Sequence, residues 1–176
     1  MATARPVHSL QIVIGNEAFA LEFFWQQDRF AQRVVSQPEA EREILLRSQE
    51  GTPQQIWPPS PPSQSISVET QDGCQVALLV GMAGKSHWSA SVMPVTESLS
   101  GWEFDIACLA KQPPQWLGSS YQFTDTTQTV VQLEPIENCS IEPGSSPRVL
   151  SLRCDVQTAD TPRTLRWKYR LLLIQG

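Results

Sequence analysis

Hydrophobic and polar residues alternate most regularly near the C-terminus. In Arg148–Val156, Leu150, Leu152, Cys154 and Val156 alternate with Ser151, Arg153 and Asp155. In Thr164–Leu173, Leu165, Trp167, Tyr169, Leu171 and Leu173 alternate with Arg166, Lys168 and Arg170. A period of two sends one set of side chains to a core and the other to solvent, as in a half-buried antiparallel strand. Gln157–Arg163 holds Thr158, Asp160 and Pro162, so the two runs are expected to form a hairpin. A turn on Ala159-Asp160 would set Leu152 against Trp167, Cys154 against Leu165 and Arg153 against Arg166.

The same pattern extends upstream. Leu10–Gly15 is a short apolar strand ending in a Gly-Asn turn signal, and Ala18–Trp25 and Phe30–Val35 flank Gln26–Arg29 as a second hairpin. Phe19, Phe23, Phe30 and Val34 would also fit one face of a helix, but the aromatic and β-branched content favours strands. From Ser36 to Gly51 two readings compete. One is a helix capped by Ser36, with Pro38 in its first turn and Glu39 completing a capping box; the other is a loop followed by a strand at Glu43–Ser48. Residues 52–65 carry Pro53, Pro58, Pro59, Pro61 and Pro62 and read as an extended strap held down by Ile56 and Trp57. From Ile66 to Lys111 a meander is expected, turning at Gln71-Asp72-Gly73 and Gly84-Lys85. Tyr121–Phe123 and Thr127–Leu133 form a further expected pair, and Glu134–Pro147 a polar connection. The prediction is one all-β, mainly antiparallel domain over 1–176. It is a β-sandwich, or alternatively a closed or half-open β-barrel, with at most one short peripheral helix.

Composition narrows the function classes. The formal charge is −5 and only 18% of residues are charged, which argues against general nucleic-acid affinity. The charge is unevenly placed: residues 148–176 hold six bases against two acids, whereas 50–147 hold ten acids against two bases. No signal-peptide pattern or membrane-span run is visible, so a cytoplasmic, soluble protein is expected, with Cys74, Cys108, Cys139 and Cys154 reduced. The cysteines lack Cys-x-x-Cys spacing and neither histidine sits in a ligand pattern; no metal or other cofactor is expected.

The candidate chemistry is sparse. Gly81-Met82-Ala83-Gly84-Lys85-Ser86 ends like a phosphate-binding loop. Its glycines are too close, however, and a strand-like His87–Pro94 follows instead of a helix. Pro59-x-x-Pro62 resembles a generic SH3-type ligand on two residues only. His87 could serve a hydrolase with Asp105 and a nearby serine, but no nucleophile elbow accompanies it. Trp57 and Trp116, in Pro-rich loops, could stack on a small ligand or carbohydrate. The feature that stands out is the basic outer face of the terminal hairpin, Arg153, Arg166, Lys168 and Arg170. It would suit a protein partner or self-association, or merely protect a sheet edge. The leading expectation is therefore a non-catalytic β-domain acting as an interaction or structural module. Ligand binding through Trp57 and Trp116 comes second and a His87 hydrolase last.

Overall fold

Two antiparallel sheets face one another across a single core. The computed structural model describes residues 5–36, 42–95, 100–124, 129–155 and 160–175. Among them run thirteen strands: β1 (His8–Ile14), β2 (Glu17–Gln26), β3 (Arg29–Ser36), β4 (Ile44–Ser48), β5 (Ser65–Gln71), β6 (Cys74–Ala83), β7 (Ser86–Val95), β8 (Gly101–Ala110), β9 (Gly118–Phe123), β10 (Thr129–Glu137), β11 (Cys139–Pro143), β12 (Val149–Cys154) and β13 (Arg163–Gln175). One sheet has the order β1-β2-β3-β4-β9-β12-β11 and the other β10-β13-β8-β7-β6-β5. The architecture is a β-sandwich and the sheets do not close into a barrel.

The tight turns explain much of this order. Gln71 pairs with Cys74, and the two residues between them, Asp72 and Gly73, have φ of 50° and 81°. Positive φ at both central positions gives a turn whose twist matches that of the flanking strands. Two-residue connections also join Ile14 to Glu17, Gln26 to Arg29 and Ala83 to Ser86. The alternating residues then fall inward as expected. Trp88 and Val92 from β7, Trp102, Phe104, Ile106 and Cys108 from β8, and Leu165, Trp167, Tyr169 and Leu171 from β13 are buried in the core. The rings of Phe104 and Tyr169 stack with centroids 4.8 Å apart.

Four local expectations need correction. β12 and β13 do not form a hairpin: β12 lies between β9 and β11, and β13 lies between β10 and β8 in the opposite sheet. Arg153 consequently pairs with Ser140 and Gly118, not with Arg166. Of the expected turn residues Ala159-Asp160, Ala159 lies outside the described residues. Alternation tells which way a side chain points but not which strand lies beside it. Here the nearer competitor was missed. The stretch expected to be a polar connection contains β11, which pairs with β12 from Cys139↔Cys154 to Pro143↔Leu150. For the same reason β9 and β10 are not partners but belong to different sheets. Finally, Ile44–Ser48 is strand β4, matching the loop-plus-strand reading; the proposed helix start at 37–41 lies outside the described residues.

The Pro-rich strap crosses from β4 in one sheet to β5 in the other. It is buried more deeply than a surface strap: Trp57, Pro58 and Ser60–Ser63 are all buried. Trp57 anchors it edge-on to Trp88, with centroids 5.8 Å apart. Ile56 is 42% exposed and rests against the Gly84 turn. The main chain is tied as well, by Phe30 N–H donating to Ser63 O at 2.7 Å and Trp116 Nε1–H donating to Pro59 O at 3.2 Å. Pro62 is buried within this arrangement, which leaves no free polyproline surface for an SH3-type partner.

Candidate functional surface

Strand β6 runs Val76-Ala77-Leu78-Leu79-Val80-Gly81-Met82-Ala83 without a polar residue. In a two-layer sandwich only one of its faces can reach the core. Ala77, Leu79 and Ala83 take that face and are buried; Val80 and Met82 point outward and are 54% and 49% exposed. The strand register builds the surface around them. Met82 pairs with His87, which pairs with Leu109, which pairs with Thr164. One rung further along, Val80, Ser89, Ala107 and Arg166 succeed one another across the sheet. The small Ser89 and Ala107 lie lower than the Met82 and Leu109 side chains, and the result is an open concavity of about 810 Å³. Its strap-side wall is Gln64, which donates Nε2–H to Met82 O at 3.1 Å and accepts from Met82 N–H at 2.7 Å.

The same face carries the basic residues of β13. Lys168 stands opposite Asp105 and Arg170 opposite Glu103. Arg166 grips Asp105 with two hydrogen bonds of 2.8 and 2.7 Å. Arg170 donates to Glu103 at 2.9 Å and lies 3.6 Å from Glu134; Lys168 is 3.6 Å from Glu103 and 3.8 Å from Asp105. Three bases thus meet three acids within the face. The Arg166 hydrogen bonds hold the Asp105 carboxyl below its ordinary range, outweighing partial burial. Arg153 does not belong to this group: it lies on the other sheet, 3.3 Å from Glu142 and 5.8 Å from the centre of the Trp116 ring. The predicted basic surface therefore keeps Arg166, Lys168 and Arg170, loses Arg153, and is neutralised within the chain.

The other candidates separate. His87 and Asp105 both face outward, but His87 pairs with Leu109 and Asp105 with Ser91. Four residues along a strand is roughly 13 Å, beyond any hydrogen bond in a catalytic triad. Ser86 is buried and accepts from Lys111 N–H at 3.2 Å. Gly84-Lys85 is a tight hairpin turn with Gly84 at φ 56°, so it offers no phosphate cradle. Trp57 is buried beneath the strap and Trp116 is half-buried with its indole N–H already used; neither lines the concavity. Among the described residues no group of three or more His, Cys, Asp or Glu is placed to hold a metal ion, and no helix is long and apolar enough to cross a membrane.

A second polar cluster lies inside the sandwich. Arg29, 1% exposed, pairs with Asp28 at 2.8 Å and donates to the carbonyls of Glu50 and Thr52. The Glu50 side chain turns inward instead, and Ser48 Oγ–H donates to its Oε1 at 2.5 Å. Its Oε2 has no hydrogen-bond partner among the described residues. Burial pushes the Glu50 carboxyl up to about 7, against the smaller opposing effects of Ser48 and Arg29. Nearby, Tyr121 donates to Gln32 Oε1 at 3.2 Å and its hydroxyl lies 2.6 Å from that of Tyr169. These groups fasten the strap entrance and the two sheets.

The outward aliphatic positions of β6 were not singled out from the sequence, although the unbroken apolar run from Val76 was their signal. Comparison with protein-family models, curated proteins and solved structures gave no match.

Proposed function

We propose that the protein is a non-catalytic interaction module that self-associates, packing the outer face of its six-stranded sheet against the same face of a second copy. The observation that carries this reading is the set of exposed aliphatic side chains on one face: Val80, Met82, Met93 and Ile174, the last two 39% and 45% exposed. Val80 and Met82 lie at one end of the face and Met93 and Ile174 toward the other, with the ion pairs of Asp105 and Glu103 between them. Exposed apolar groups bordered by polar residues mark association sites. The charges on the face support a self-complementary contact, because Arg166, Lys168 and Arg170 already have Asp105, Glu103 and Glu134 beside them. No net field of one sign repels a second copy. The dimensions also suffice. Six strands at about 4.8 Å spacing and ten residues at about 3.3 Å give roughly 800 Å², the area each partner contributes to a standard interface. A face meeting its own copy generates a closed two-fold dimer.

Sedimentation equilibrium between about 1 and 100 μM tests it, comparing wild type with Val80→Glu and Met82→Glu. Each outward charge should weaken the dimer about tenfold or more while near-UV circular dichroism stays unchanged. Because the ion pairs close within each copy, raising salt should leave the dimer largely intact. A wild type that stays monomeric throughout discards the reading.

The concavity favours a second reading, a small apolar ligand held over Ser89 and Ala107, since its volume lies within the range of ligand pockets. That reading predicts a monomer whose Met82 environment changes on ligand addition.

A further inference from the structure

Cys139 on the edge strand β11 and Cys154 on β12 stand directly opposite one another. Their pairing position is of the kind that lacks mutual main-chain hydrogen bonds. Asp155 N–H donates to Asn138 O at 2.8 Å one position away, and Cys154 N–H turns to Leu117 O on the far side. At such positions the Cα atoms of antiparallel strands lie about 4.5 Å apart with both side chains on one face. That separation is within the range a disulfide spans. Cys139 is half-buried at the sheet edge, its Sγ–H donating to Lys168 O at 3.1 Å, and Cys154 is buried behind it. We propose that Cys139 and Cys154 form a thiol–disulfide site that locks β11 to β12 when the protein meets a disulfide oxidant.

The chemistry balances with oxidised glutathione as the co-reactant. The Cys139 thiol loses its proton and its sulfur attacks one glutathione sulfur, breaking the glutathione disulfide and releasing one reduced glutathione. The Cys154 thiolate then attacks Cys139 in the mixed disulfide and releases the second. Two protein thiols are oxidised and one glutathione disulfide is reduced to two thiols. Burial raises both protein thiols, Cys154 to about 11. The reaction should therefore be slow at neutral pH and quicken nearly tenfold per pH unit while thiolate is limiting. The bond would close the stretch that contains the exposed residues of β11 and the turn before β12, and hold the sheet edge.

Cys74 is exposed on the β5–β6 hairpin and would react separately, so the test uses Cys74→Ser. Folded protein is equilibrated with oxidised glutathione at about pH 8.5, then denatured with thiols blocked, counted and mapped by mass spectrometry. Three titratable thiols should fall to one, with a peptide linking Cys139 to Cys154 and Cys108 left free. The melting temperature should rise by roughly 5–10 °C and return on reduction. Adding Cys139→Ser should abolish the link without changing the melting temperature in reductant. Three thiols remaining at equilibrium, a Cys108–Cys154 link, or a persistent glutathione adduct on Cys139 would each overturn the proposal.

Discussion

The hydroxyls of Tyr121 and Tyr169 meet at 2.6 Å in the middle of the sandwich, joining β9 of one sheet to β13 of the other. Tyr121 also donates to Gln32 on β3, so one hydroxyl links three strands. Both groups are fully buried, and burial raises both phenols above their ordinary range. A buried hydroxyl deprived of its partner costs more than a pair removed together. Tyr121→Phe or Tyr169→Phe alone should each destabilise by about 1–2 kcal/mol, and the double variant by less than their sum. Urea titrations of the four proteins form the cycle that measures this coupling.

Glu50 makes stability depend on pH in an unusual direction. Its carboxyl is raised from 4.5 to about 7 by burial. Between those values the folded state holds a proton that the unfolded chain has released, so stability falls as pH rises. The loss begins near the unfolded value and is complete above the folded one. The 2.5-unit difference between 4.5 and 7 corresponds to about 3 kcal/mol as an upper figure. Glu50→Gln keeps the neutral shape and should remove most of the dependence. Denaturation at pH about 5 and about 8.5 should show wild type losing stability and the variant much less.

Glycine at 81 is required by the strap. A Cβ there would overlap the carbonyl oxygen of Pro62, whereas one at Gly15 would meet open space. Gly81→Ala should cost roughly 2 kcal/mol or more, because strap or strand must move. Gly15→Asn, at φ 59°, should stay within about 1 kcal/mol since asparagine tolerates that conformation. Thermal melts of the two variants give the comparison.

The indoles give a further check on the fold and on the ligand alternative. Trp57, Trp88, Trp102 and Trp167 are buried, while Trp25 and Trp116 are half-buried. Acrylamide should quench only a minor fraction of the emission, and Trp25→Phe with Trp116→Phe should remove most of that fraction. Strong quenching after both replacements would show that the strap does not cover Trp57.

How much of this was legible in the chain differs between elements. The alternation of Trp102–Ala110 and Leu165–Leu173 gave the correct inward residues because a pleated strand enforces that geometry locally. The Asp72-Gly73 and Gly84-Lys85 turns were legible for the same reason. Strand neighbours were legible only across the tight turns: β11 is too polar to read as a strand beside β12, and β13 pairs with β8 some sixty residues earlier, which periodicity does not encode. The ion pairs of Arg166, Lys168 and Arg170 were hidden for that reason, since Glu103 and Asp105 lie some sixty residues earlier. Glu50 gave no local sign either; its carboxyl is buried beside Ser48 and near the Tyr121 and Tyr169 hydroxyls, which come from distant strands.

The face of the six-stranded sheet is the central claim, and Met82 and Met93 report on it directly. They are 49% and 39% exposed in a single copy, and thioethers are readily oxidised by hydroxyl radicals when accessible. Radical footprinting at low and high protein concentration should show Met82 and Met93 becoming several-fold less reactive as copies associate, with half-buried Trp116 on the other sheet's side unchanged. Equal reactivity of both methionines at all concentrations, in a sample shown to be dimeric, would place the contact elsewhere and contradict the account.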